Sequence, residues 1–327
     1  MQTGVYLKTA RILSLFMRLI NGEVINKKNE AARFNVNEKS IQRDLSDIKN
    51  QLAESCHDGS NCELAFVREK NGYCLVNCGA SYMRGADILV LAKTLLESRS
   101  LCQDEMEALL NKLLGQASSE DKTLITDMVR NEQFYFEQVQ HGKCLTDSIW
   151  QLSCALHTRR LVQISYQKEN EEQTVSRVVE PQGIIFSEYY FYLVAYIHDA
   201  HYDYPAVYRI DRIEKFKILE DRYSIAESRR FEEGQFRKRV QFMKSGPLLK
   251  VQFRFWGNSL DAVLDRLPTA RVIKSDAGVS ILEAEVFGQG IKMWLLSQAE
   301  YLEVLEPQEF RAEIKRTIEK MAENYRR

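Results

Sequence analysis

No stretch of the chain is apolar for long enough to cross a bilayer, so no membrane span is expected. The opening residues, MQTGVYLKTARILSLFMRLING, hold only short apolar runs broken by Lys8, Arg11 and Arg18, which is not the pattern of a secretory leader. A cytoplasmic setting is expected. An excess of one charge is missing too: 45 Lys+Arg against 46 Asp+Glu leave -1, which excludes a uniformly basic protein but leaves room for a local basic face. The seven cysteines are odd in number and scattered, which fits reduced thiols better than a disulfide framework.

Catalytic and metal signatures are also lacking. There is no phosphate-binding P-loop, no paired-histidine metal motif and no Gly-x-Ser-x-Gly elbow. His157, His198 and His201 have no Cys, Ser or carboxylate partner at a diagnostic spacing. Phe287-Gly288-Gln289-Gly290 lacks the third glycine of a dinucleotide site and reads as a turn. Cys56, Cys62, Cys74 and Cys78 are not spaced in the close pairs of a structural zinc site. No enzyme, no metal and no cofactor is expected.

What is present falls into composition zones, and 327 residues at 45% apolar content imply two or three folded units. Residues 1–78 begin with an amphipathic pattern at Leu7, Ile12, Leu15, Phe16, Leu19 and Ile20, stopped by Gly22. A short helix follows in KKNEAARF. Asn37 then caps a third helix with Ile41, Leu45, Ile48 and Leu52 on one face. Two alternating runs in CELAFVREKNGYCLV, joined by Glu69-Lys70-Asn71-Gly72, whose Asn-Gly pair favours a tight turn, predict a β-hairpin. Three helices and a hairpin outline a winged helix-turn-helix, whose third helix would lie in the major groove of operator DNA. Its polar face carries Lys39, Ser40, Gln42, Arg43 and Lys49, with Lys70 on the wing and Asp44 and Asp47 tempering the charge. Residues 1–54 hold nine Lys+Arg and six Asp+Glu, a local +3.

Residues 79–155 show long helical periodicity and almost no Gly or Pro, as in a spacer or, by preference, a dimer interface. From Leu161 the pattern changes to short β-branched and aromatic runs, suggesting a small antiparallel barrel or curled sheet. Its centre, YYFYLVAYIHDAHYDYPAVYRIDRI, packs seven of the fifteen tyrosines into residues 189–213. Alternation puts Phe191, Leu193, Ala195 and Ile197 on an apolar face and Tyr190, Tyr192, Val194 and Tyr196 on a tyrosine-lined, exposed one. Such a cluster is either half-wet packing or a stacking surface for an anion.

Two resemblances sharpen these expectations. Ser40-Ile41-Gln42-Arg43-Asp44-Leu45 resembles the recognition helix of DeoR-like bacterial regulators, in which the matching serine and arginine face DNA. The strand Ile164-Ser165-Tyr166, the run Glu180-Pro181-Gln182-Gly183-Ile184, the triplet Phe191-Tyr192-Leu193 and the run Tyr208-Arg209-Ile210-Asp211-Arg212-Ile213 resemble the WYL domain, a small Sm or SH3-like β-barrel. The triplet departs from its name by Phe for Trp. Trp294, Leu295, Leu296, Pro307 and Arg311 follow in the order of the C-terminal extension found after WYL domains, with Gln298-Ala299 where glycine is common.

The resemblance implies an α+β multidomain regulator: a winged helix-turn-helix (1–78), a helical linker or dimerisation region (79–155), a WYL sensor (156–222) and a C-terminal α/β extension (223–327). It implies a homodimer on double-stranded operator DNA, by analogy a repressor of a defence or stress operon such as phage defence. The WYL domain would bind a nucleic-acid fragment or nucleotide through Tyr166, Tyr192, Arg209 and Arg212, with Ser165 as an extra donor. A small anionic metabolite as effector, or a role as an accessory single-strand-binding module, stays open. Arg209 and Arg212 are three apart, so they share a ligand only if the strand bulges or ends between them. Otherwise Arg212 pairs with Asp211 or Glu214.

Overall fold

The computed structural model describes residues 8–20, 22–55, 63–76, 83–168, 173–200, 204–224, 231–288 and 290–326. Leu7, Cys56, Cys62, Cys78, His201 and Gln289, named above, lie outside the described residues. The chain divides into two compact units, Met1–Gln138 and Val139–Arg327. The division falls inside the segment 79–155.

In the first unit α1 (Lys8–Ile20), α2 (Lys27–Phe34) and α3 (Glu38–Ser55) precede β1 (Glu63–Val67) and β2 (Gly72–Val76). The apolar stripes meet as their spacing requires: Leu15 and Leu19 of α1, Ala31 and Phe34 of α2, Ile41, Leu45 and Ile48 of α3, and Leu64 of β1 share one core. Asparagines punctuate the helices. Asn26 Oδ1 accepts the backbone N–H groups of Lys28 and Asn29 at 3.0 and 3.2 Å, Asn35 closes α2 at φ 52°, and Asn37 Oδ1 accepts the N–H of Ser40 at 2.8 Å.

The hairpin turn is displaced by one residue from the expected Glu69-Lys70-Asn71-Gly72 connection. Val67 pairs with Gly72, so the loop is Arg68 to Asn71, with Asn71 at φ 44°. Gly72 already belongs to β2, and the reason is space: a Cβ there would lie 2.4 Å from Val24 Cγ1. That close approach comes from Ile25, which exchanges two 2.8 Å backbone hydrogen bonds with Tyr73. Beyond the hairpin, α4 (Gly85–Ser98), α5 (Gln103–Leu114) and α6 (Ser119–Phe134) pack together, burying Ile88, Ala92, Leu96, Met106, Leu110, Ile125 and Val129.

The second unit opens with α7 (Thr146–His157), then β3 (Arg160–Gln167), β4 (Thr174–Ser187), β5 (Tyr190–Ile197), β6 (Ala206–Arg209) and β7 (Ile213–Arg222). These strands form one antiparallel sheet in the order β6-β5-β4-β3-β7. Leu152 and Ala155 of α7 join Val162, Ile164, Val179, Leu193, Ala195 and Tyr208 in its core. The other face of β5 is covered as well. There α8 (Glu233–Arg239) and the residues after it bring Phe236, Val240 and Met243 onto Ile185 and Val194, with Tyr192 packed against them. The exposed tyrosine face expected from alternation is therefore a second core, because a layer from later in the chain lies on it.

The remainder is β8 (Leu248–Phe255), α9 (Leu260–Arg266), β9 (Arg271–Asp276), β10 (Val279–Phe287), α10 (Gly290–Ser297), β11 (Leu302–Glu306) and α11 (Gln308–Asn324). Sheet order β11-β8-β10-β9 makes it a split βαβ arrangement with an added helix. Gly290 is required by contact, since a Cβ there would sit 1.9 Å from the carbonyl oxygen of Gln241. No described helix is long and apolar enough to cross a membrane.

Candidate functional site

On α3 the apolar stripe is turned into the core, leaving Lys39 and Arg43, one helical turn apart, exposed. Neither makes an ion pair or side-chain hydrogen bond among the described residues, and the same is true of Lys70 in the hairpin turn. The other three residues expected to face DNA are engaged locally. Gln42 Oε1 accepts from Lys27 Nζ at 3.0 Å and from the Tyr73 hydroxyl at 3.2 Å, tying α3 to α2 and to the hairpin. Ser40 Oγ donates to Asn37 Oδ1 at 2.9 Å. Lys49 pairs with Glu63 of β1 at 3.1 Å, an exposed contact of small energetic weight.

Asp44 does not temper the surface charge. It is 1% exposed and holds both oxygens against the Arg11 guanidinium of α1, with Nη2 donating to Oδ1 at 3.2 Å and Nε donating to Oδ2. The pair was missed, although a signal existed. Arg11 stands on the stripe of Leu15 and Leu19, and Asp44 on that of Ile41 and Ile48, so each charge occupies a core position.

In the second unit, Tyr192 and Arg209 are cross-strand neighbours on β5 and β6. The Arg209 guanidinium lies 3.4 Å from the centre of the Tyr190 ring. Its Nε and Nη2 donate to the two oxygens of Asp211 at 3.1 and 2.8 Å, and Asp211 is 4% exposed. Lys143 Nζ donates to the Asp211 carbonyl at 2.7 Å, fixing the same turn from the segment before α7. β6 ends at Arg209 and Ile210–Arg212 forms a 3-10 turn, so the strand does end between the two arginines. Asp211, one of the two partners expected for Arg212, is engaged by Arg209.

The other candidates are divided between faces. Tyr208 pairs with Leu193 and shares its core, and Tyr166 meets the Tyr208 ring edge-on at 5.1 Å, on the side opposite to Tyr192 and Arg209. Ser165 stands across from Ser176 and Lys215. Tyr190 was not singled out from sequence; its neighbours in a tyrosine-rich strand hid it. His198 does have a carboxylate partner, Glu180 on the adjacent strand, with Nδ1 and Oε1 2.8 Å apart.

Burial pushes the phenols of Tyr192, Tyr208 and Tyr223 up to about 12, with Arg209, Arg177 and Arg159 respectively pulling the other way. An unfolded phenol ionises near about 10, so these groups stabilise the fold fully below that pH and lose the contribution as pH rises toward 12. Thermal stability of the second unit is expected to fall between pH 10 and 12. Tyr208→Phe should flatten that fall, and an unchanged profile would contradict the assignment.

Residues 149–218 match the WYL domain. The chain carries a WYL domain. Residues 247–322 match the WCX domain, so β8 to α11 form the unit that accompanies it. Two solved structures are similar. Proteasome accessory factor B/C (PafBC) of Arthrobacter aurescens is 14% identical, with 94% of this chain and 46% of that one covered and a TM-score of 0.32. A structure described as a CRISPR Cas-related protein is 14% identical, with 73% and 72% covered and a TM-score of 0.37. The chain thus spans less than half the length of PafBC. No curated protein matches the sequence.

Proposed function

We propose that the protein is a DNA-binding transcriptional regulator: a cytoplasmic homodimer without catalytic activity that represses a defence or stress operon. α1 to β2 act as a winged helix-turn-helix within residues 1–78, residues 79–155 link and dimerise, and the WYL domain senses a nucleic-acid fragment or nucleotide. The observation that carries the DNA-binding part is α3 itself. Its inner face is anchored by the Arg11–Asp44 pair, while Lys39 and Arg43 project unengaged, as a helix must if it is to meet phosphates and base edges. For the sensor, Arg209 on the Tyr190 ring supplies a planar cation beside aromatic faces, the chemistry that suits a phosphorylated base.

A two-fold dimer presents two recognition helices and so requires inverted half-sites. The test is selection of duplexes from a random pool, followed by binding of variants to the winner. A near-palindrome should be recovered. Arg43→Ala should weaken binding by about 1–3 kcal/mol if it meets a base, and Lys39→Ala should lower the log–log salt slope by about 1 if it meets a phosphate. Arg43→Ala binding as tightly as wild type, with its fold intact, rules α3 out as the reader.

A further inference from the structure

Gln42 sits on α3 one turn after Lys39, at the corner where α3 meets α2 and the hairpin. Its Oε1 accepts from Lys27 Nζ at 3.0 Å and from the Tyr73 hydroxyl at 3.2 Å. Chemistry fixes which end of the amide this is. An ammonium donates and cannot accept, so the atom facing Lys27 must be the carbonyl oxygen. That oxygen has two lone pairs, and the two donors occupy both. Nε2 has no partner among the described residues, so the free end of the amide holds two N–H donors and no acceptor.

The hairpin is tied to the start of α2 independently of Gln42. Tyr73 exchanges two 2.8 Å backbone hydrogen bonds with Ile25, Phe66 meets its ring edge-on at 5.2 Å, and Asn26 Nδ2 donates to the Asn71 carbonyl at 2.8 Å. These contacts bring Lys27 beside the hairpin, with Nζ 5.6 Å from the centre of the Tyr73 ring. Turning the amide of Gln42 over would set its NH2 group against an ammonium. Freeing the oxygen would break two hydrogen bonds, one of them charge-assisted, for a single one gained on a base. The polarity of Gln42 is therefore set by α2 and the hairpin before any ligand arrives.

A glutamine reads adenine with both ends of its amide, the oxygen accepting from N6 and the nitrogen donating to N7. Gln42 lacks the first half. With α3 lying in the major groove, the reading on which this depends, we propose that Gln42 is a specificity-determining residue that acts as a donor only and selects guanine. The guanine edge offers two acceptors, O6 and N7, whereas the amino groups of adenine and cytosine would meet the N–H groups of Gln42 donor to donor. Thymine, with the single acceptor O4, ranks between. One base of each half-site is thus decided by Lys27 and Tyr73, two residues outside the recognition helix.

The test is duplex selection from a random pool with the full-length protein, then titration of the winner with each base placed in turn at every position. Wild type should carry one half-site guanine that it prefers about tenfold over adenine, and Gln42→Ala should lose that preference at that position only. Lys27→Met with Tyr73→Phe releases Oε1 while Gln42 stays, so the preference should move to adenine. Lost stability or a lost phosphate contact would weaken all four bases alike and leave the preference where it was. Gln42→Glu keeps one oxygen on Lys27 and Tyr73 and turns another outward, so it should select cytosine, and it tests the same polarity should the double variant not fold. Adenine preferred by wild type at the position that depends on Gln42, no position that depends on Gln42, or guanine retained in the folded double variant or in Gln42→Glu would each overturn the proposal and leave Arg43 as the reader. A pool that yields no duplex for wild type would instead remove the DNA-binding reading, and the role of Gln42 with it.

Discussion

Asp44→Ala is expected to destabilise the first unit by about 3–5 kcal/mol, because it strands the Arg11 guanidinium in the core without a counter-ion. Few single replacements in this chain should cost more, since a unit of this size has only about 5–15 kcal/mol to lose. All three tryptophans, Trp150, Trp256 and Trp294, belong to the second unit. Urea unfolding followed by helical circular dichroism should therefore show an early transition that tryptophan fluorescence does not. Replacing both partners, Arg11→Met with Asp44→Leu, should restore most of the loss, because two apolar side chains carry no desolvation cost. Operator binding should follow stability in the single variant and return in the double one. If Asp44→Ala unfolds as wild type does, the pair is not what orients α3.

Arg209→Ala should also be strongly destabilising, at about 3 kcal/mol. The resemblance to the WYL domain makes this arginine a ligand contact. In the structure it neutralises Asp211, which is 4% exposed, and Lys143 reaches only the backbone carbonyl of that residue. Removing the guanidinium leaves a buried carboxylate unpaired, and the part-exposed position of Arg209 places the cost at the lower end of the usual range. Tryptophan fluorescence should report the earlier unfolding, and Arg209→Ala with Asp211→Ala should be more stable than Arg209→Ala alone. Equal stability of Arg209→Ala and wild type would show that the pair contributes nothing. The same contact bears on sensing: an anionic effector must displace Asp211 to take both guanidinium donors, so Asp211→Asn should tighten nucleotide binding.

Much of the architecture is legible in the sequence because it is local. Stripes at helical spacing on Leu15 and Leu19 and on Ile41, Leu45 and Ile48, asparagines at helix ends, and period-two runs in β3 to β5 each fix an element and the side it buries. The exposed pair Lys39 and Arg43 follows from the same arithmetic, as the residues left over when the stripe is turned inward.

The partner of each charge and the second cover of each sheet were settled by tertiary structure alone. Asp44 finds Arg11 33 residues away, and nothing in the spacing of either helix says which acid meets which base. Alternation along β5 separates Leu193 from Tyr192 correctly, yet it cannot tell that Phe236 and Val240 return to bury the tyrosine side. Periodicity reports how a segment sorts its own side chains, whereas burial depends on what packs against it. That is decided by contacts distant in the chain, which is why the helices and strands could be read from the residues and the division of Tyr166 from Tyr192 and Arg209 could not.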